Sequence, residues 1–173
     1  MKTAVNKERL IEEIKMLAYA LPAYHIIEKH ICISHNGLKE RAKTEFKSDW
    51  NNLQVISRFN DSLSHDDIRK IISDALLENI EEIIDWLQND HSISGREFIG
   101  TNCCIGNGII RDSDWSVLHN LSNICVILTD STNSDLRYFD VKTAFPCPNI
   151  DETDECWDAM EEWINTISSD QNK

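Results

Sequence analysis

No apolar run in this sequence approaches the ~18 residues of a membrane-spanning helix, so no membrane span is expected. Met1–Lys15, MKTAVNKERLIEEIK, is charged where a secretory leader would be apolar, so no signal peptide is expected in this chain. The reading is a cytosolic protein or an excised piece of something larger. Basic charge is scarce: 17 Lys and Arg face 30 Asp and Glu, for a net charge of −13. Such a balance argues against nucleic-acid binding by default, because phosphate contacts need Lys and Arg. CxxC spacing is also missing from the six cysteines, Cys32, Cys103, Cys104, Cys125, Cys147 and Cys156. Adjacent Cys103 and Cys104 cannot easily hold one metal, and no His-x3-His pair lies nearby. Reduced, mostly buried thiols, no metal and no other cofactor are the expectation. GTNCCIGNG lacks the GK[ST] ending of a phosphate loop, and no helix pattern follows it.

What is present suffices for one domain: 173 residues, 41% of them hydrophobic. Lys7–Leu21 carries Leu10, Ile11, Ile14, Leu17, Ala18 and Leu21 at helical spacing, and Pro22 closes it. Ala23–Ile33 reads as a short helix with His25 and His30, the latter bordering the buried stripe through Ile26 and Ile27. Taken alone, His30 reads as a structural histidine, and Arg41 beside the stripe of the next helix as a solvated charge. That third helix follows the N-cap candidate Ser34 and runs to about Phe46. Asp49–Asn60 fits a strand or a helix equally well. Ser64 and Asp67 form an S-x-x-D capping box. A long helix over His65–Leu87 follows, with an unbroken stripe from Ile68 to Leu87. Arg96–Ile110 reads as short strands and a tight turn.

Asn123–Pro148 organises the rest. Asn123–Thr129 is an apolar run suited to a covered strand. Tyr138–Phe145 alternates, which puts Phe139, Val141, Thr143 and Phe145 on one face, with Pro146 and Pro148 ending the strand. A last helix carries Trp157, Met160, Ile164 and Ile167 on one side, and residues 147–173 hold eight acids against one base. Helices, a long helix, several strands and a final helix, with no strand–helix alternation, predict an α+β fold with an antiparallel sheet.

HIIEKHI, LKERAK, VISRFNDSLSHDDIRKIISDALLENIEEIIDWL, IGNGII, ICVIL and YFDVKTAFP follow one another in an order and spacing that resembles the bacterial ribonuclease A-like toxin domains. These are C-terminal effector domains of contact-dependent growth inhibition and related polymorphic toxin systems. The resemblance spans roughly Tyr24 to Pro148. It implies a ribonuclease A-like domain over 23–148, with N-terminal helices and one long core helix on a twisted antiparallel sheet. An N-terminal helical extension over 1–22 and an acidic C-terminal helix over 149–173 flank it.

Carried over by position, the resemblance makes His30, Arg41 and Thr143 catalytic and Phe145 substrate-binding. Relatives usually carry Val-Gly-Lys after the helix histidine and often Tyr in the TAFP motif. Here Ile31, Cys32 and Ile33 follow His30, and the aromatic is Phe145. The implied activity is metal-independent cleavage of RNA, tRNA among the candidates. Attack by the 2′-hydroxyl would give a 2′,3′-cyclic phosphate. A histidine suits the proton transfer, a guanidinium suits the phosphoryl charge, and an aromatic ring can stack on a base. The implied setting is delivery by a secreted or surface toxin, action in the target cell's cytoplasm, and neutralisation by a cognate immunity protein. The competing class is a binding module: an inactive scaffold, or an acidic immunity-type protein that neutralises a partner by charge complementarity. Convergence of His30, Arg41 and Thr143 favours the enzyme; scatter favours the binding module.

Overall fold

The computed structural model describes residues 5–20, 26–31, 33–45, 55–89, 96–110, 117–131 and 137–147. Along them run α1 (Lys7–Ala20), a π-helical turn (Ile27–Ile31), α2 (His35–Glu45), β1 (Val55–Phe59), α3 (His65–Glu78), α4 (Ile80–Asn89), β2 (Arg96–Ile110), β3 (Val117–Asp130) and β4 (Phe139–Cys147). Pro22, His25, Pro148 and the expected last helix lie outside the described residues. The strands form one sheet in the order β1-β2-β3-β4, every pair antiparallel. The α+β class with an antiparallel sheet is therefore observed.

Local chemistry explains most boundaries. Ser64 is extended, with φ −72° and ψ 164°; its hydroxyl accepts the Asp67 N–H, and the Asp67 carboxylate accepts the Ser64 N–H. That reciprocal pair starts α3. The helix expected to run unbroken from His65 to Leu87 is interrupted at Asn79. There the side-chain amide donates to the carbonyls of Ala75 and Ile99, each at 2.8 Å. An asparagine competing for backbone groups ends the first segment, and α4 continues the apolar stripe at once. The undecided Asp49–Asn60 stretch contains strand β1. Pairing with β2 decides it, from Val55 opposite Ile110 to Phe59 opposite Gly106.

Arg96–Ile110 is one long strand, not short strands and a tight turn. Register shifts between Thr101 and Gly106 and between Gly106 and Gly108 absorb its glycines, and Cys104 takes a left-handed φ of 48°. Gly106 is required by close approach: a Cβ there would strike the Arg58 carbonyl oxygen and the Pro146 ring. That contact shows the sheet curling, because Arg58 lies on β1 and Pro146 on β4, opposite ends of the strand order.

The main core joins the helices to one sheet face. Leu10, Ile14, Ile72, Leu76, Trp86, Phe98, Val126, Leu128 and Phe139 all belong to it. Each such side chain contributes about 1.5–3 kcal/mol by leaving water. Helix α1, expected as an extension, thus shares the core of the strands. A smaller cluster of Ile33, Leu38, Ala42, Ile56 and Ile109 lies between α2 and the first two strands.

Candidate functional site

His30 sits in the π-helical turn, not in a regular α-helix, and is 6% exposed. Such turns widen a helix locally and recur at functional sites. Its Nδ1 lies 2.8 Å from the Ser57 carbonyl oxygen on β1. A carbonyl only accepts, so Nδ1 carries the hydrogen, and in the neutral ring the lone pair falls on Nε2. Among the described residues, β1 has a ladder partner on one side only, which leaves carbonyls on its outer edge to hold the imidazole.

Phe145 stacks on that imidazole, with ring centroids 5.5 Å apart and planes inclined by 23°. The ring expected to stack on a base therefore gives one face to the histidine. Thr143 is two residues earlier on the same strand. Phe145 lies opposite Cys125 and Thr143 opposite Ile127, so both point to one side of the sheet. Among the described residues, the buried Thr143 Oγ1 has no hydrogen-bond partner. An orphaned hydroxyl is costly in a protein interior and demands a reason.

The four-residue face expected from alternation needs correction. Leu128 pairs with Val141 and Ile127 with Thr143, which leaves Lys142 unpaired in a β-bulge. The bulge reverses the phase of the strand. Phe139 and Val141 turn to the main core, as does Ala144 beyond the bulge. Thr143 and Phe145 face the other way, toward His30.

Arg41 projects from α2 and donates Nη1–H to the Lys29 carbonyl. Lys29 directly precedes His30, so the guanidinium is tied to the turn that carries the imidazole. It answers one of the carbonyls that a helical end leaves unsatisfied. The planar fork of a guanidinium suits a phosphoryl group.

The structure thus brings His30 and Phe145 into direct contact, sets Thr143 beside Phe145, and ties Arg41 to the backbone next to His30. Two contributors were not anticipated. Ser57 orients the histidine through its main chain, which no side-chain pattern reveals. Arg58 joins β1 to the segment after His30: it donates to the Ile33 carbonyl at 3.0 Å and makes a two-pronged pair with Asp61 at 3.0 and 3.1 Å. Arginine in an S-R-F-N-D run before a helix was the available signal, but its partner Ile33 is distant in sequence. Among the described residues, no three His, Cys, Asp or Glu side chains are grouped to hold a metal ion. No described helix is long and apolar enough to cross a membrane.

Among solved structures, the chain is similar to one in the "Crystal structure of CdiA-CT/CdiI complex from Y. kristensenii 33638", at a TM-score of 0.56 and 22% sequence identity. The match covers 72% of this chain and 99% of that one. The likeness is one of fold. No family model matches the sequence, and no curated protein matches it.

Proposed function

We propose that the protein is a toxin-type endoribonuclease of the contact-dependent growth inhibition class, acting on RNA without a metal ion. The observation that carries this reading is the His30 arrangement: a buried imidazole with Nδ1 engaged by a carbonyl, stacked on Phe145 and flanked by a Thr143 hydroxyl that has no partner among the described residues. The fold likeness to a chain of a CdiA-CT/CdiI complex supports the same class.

In the proposed reaction, His30 Nε2 takes the proton of a ribose 2′-hydroxyl. The 2′-oxygen bonds to the adjacent phosphorus, and the phosphorus–5′-oxygen bond breaks. Solvent protonates the departing 5′-oxygen, and a 2′,3′-cyclic phosphate remains. Arg41 stabilises charge on the phosphoryl oxygens, and the Thr143 hydroxyl donates to one of them. A cognate immunity protein would neutralise the activity.

The test is incubation of the purified protein with total tRNA in EDTA, with mapping of the product ends. New 2′,3′-cyclic phosphate termini are the expected result. Intact tRNA from folded protein would reject it. A second reading, an acidic immunity-type binding protein, is favoured by the net charge of −13. It predicts no cleavage and tight binding to a basic partner.

A further inference from the structure

The β-bulge in β4 does more than reverse the strand's phase. It leaves Lys142 opposite no residue of β3 while Thr143 resumes pairing with Ile127. A bulge re-aims side chains and can send two consecutive residues to one side of a sheet. Val141 packs against the main core, whereas Lys142 is exposed. Lys142, one residue after Val141, therefore leaves the strand on the side away from the main core, and the bulge brings Thr143 and Phe145 to that same side. Among the described residues, its ammonium has no ion pair or hydrogen bond. The nearest carboxylate along the strand, Asp140, is already engaged by Arg137 at 2.8 Å. The bulge thus presents a cation with no local partner and, next to it, the buried unpartnered hydroxyl of Thr143. In a chain with so few basic residues, a lysine on the same side as the residues that face His30 has a direct electrostatic use.

We infer that Lys142 is a phosphate-binding residue, its ammonium holding a backbone phosphate of single-stranded RNA next to the phosphate addressed by His30 and Thr143. This rests on the ribonuclease reading. A lysine suits the task as a mobile point charge that does not demand one phosphate orientation.

The experiment is a fluorescence-anisotropy titration of a short single-stranded 2′-O-methyl RNA, which lacks the attacking hydroxyl, over a range of salt concentrations. Wild type is compared with Lys142→Ala, Lys142→Arg and the control Lys15→Ala, whose lysine pairs with Glu12 on α1. Loss of one phosphate contact lowers the slope of log affinity against log salt by about 0.7, and affinity roughly fivefold near 0.1 M salt. That is expected for Lys142→Ala alone, with Lys142→Arg close to wild type. Unchanged slope and affinity in Lys142→Ala, or an equal loss in Lys15→Ala, would overturn the assignment while leaving the ribonuclease reading intact. Failure of the wild type to bind would overturn both, and cleavage of unmodified RNA by Lys142→Ala at the wild-type rate and KM would overturn the Lys142 role alone.

Discussion

At its start, strand β4 is held by α1. The Glu13 carboxylate accepts the Tyr138 N–H at 2.8 and 3.0 Å and the Phe139 N–H at 3.4 Å. The Asn6 N–H donates to the Tyr138 hydroxyl, and the Arg9 guanidinium lies 4.8 Å from the centre of that ring. At its end, the same strand meets His30 through Phe145, and among the described residues the buried Thr143 Oγ1 there has no hydrogen-bond partner. One end spends its polar groups on holding the fold. The other leaves the Thr143 hydroxyl without a partner among the described residues, which suits the ligand contact proposed for it. Under the proposed function, the difference separates stability from activity along nine residues of one strand.

Substitutions can break that separation. Phe139→Ala at the clamped end removes a fully buried ring and should cost about 3–5 kcal/mol in a denaturant melt. Activity per folded molecule should stay near wild type; a small cost would mean that the clamp, not the ring, holds this end. Gly106→Ala forces a Cβ into the Arg58 carbonyl and Pro146 and should cost about 1–3 kcal/mol. It should also loosen His30 by spreading β1 from β4, so stability and activity fall together. Thr143→Val should do the reverse. Replacing an unpartnered hydroxyl by a methyl should leave stability within about 1 kcal/mol or raise it, while RNA cleavage falls about a hundredfold. A clear loss of stability in Thr143→Val would show that the hydroxyl has a structural partner.

The smallest effects are in pH. Burial pushes the Glu13 carboxyl above its usual range, although the Tyr138 and Phe139 N–H groups pull it down. A raised folded-state pKa means the folded protein holds that proton more tightly than the unfolded chain. Its contribution is fully present below the unfolded value and is lost as pH rises through the folded one. Wild type should therefore gain melting temperature relative to Glu13→Gln as pH falls from neutral into the carboxylate range. Asp67 runs the other way, since the Ser64 hydroxyl and N–H hold its carboxyl below the usual value. Its contribution is present at neutral pH and is lost on acidification through the lowered value. A profile in which Glu13→Gln and Asp67→Asn bend the same way against wild type would refute these assignments.

Much of the fold was legible because it follows from local pattern. The S-x-x-D box and the stripe from Ile68 onward place α3 without reference to anything distant. Asn79 was hidden because the apolar stripe continues across it, and the break depends on Ile99, twenty residues away. Thr143 and Phe145 were correctly read as sharing a face. Phe139 and Val141 were not separable from them, because the Lys142 bulge arises from pairing with β3 and leaves no mark in a period of two. His30 was readable as a helix-edge residue by spacing alone. Its tautomer was not, since the Ser57 carbonyl is a main-chain group on a strand whose identity the period left open. The contact between His30 and Phe145 joins residues far apart in the chain, and only the curl of the sheet makes it.

The most direct test of the account is cleavage of unmodified RNA by wild type and by His30→Ala, measured beside their melting curves. The account predicts a loss of at least about a hundredfold in rate, with the variant still folding cooperatively. Wild-type cleavage by a folded His30→Ala would contradict it, for the imidazole held by Ser57 and Phe145 would then be structural alone.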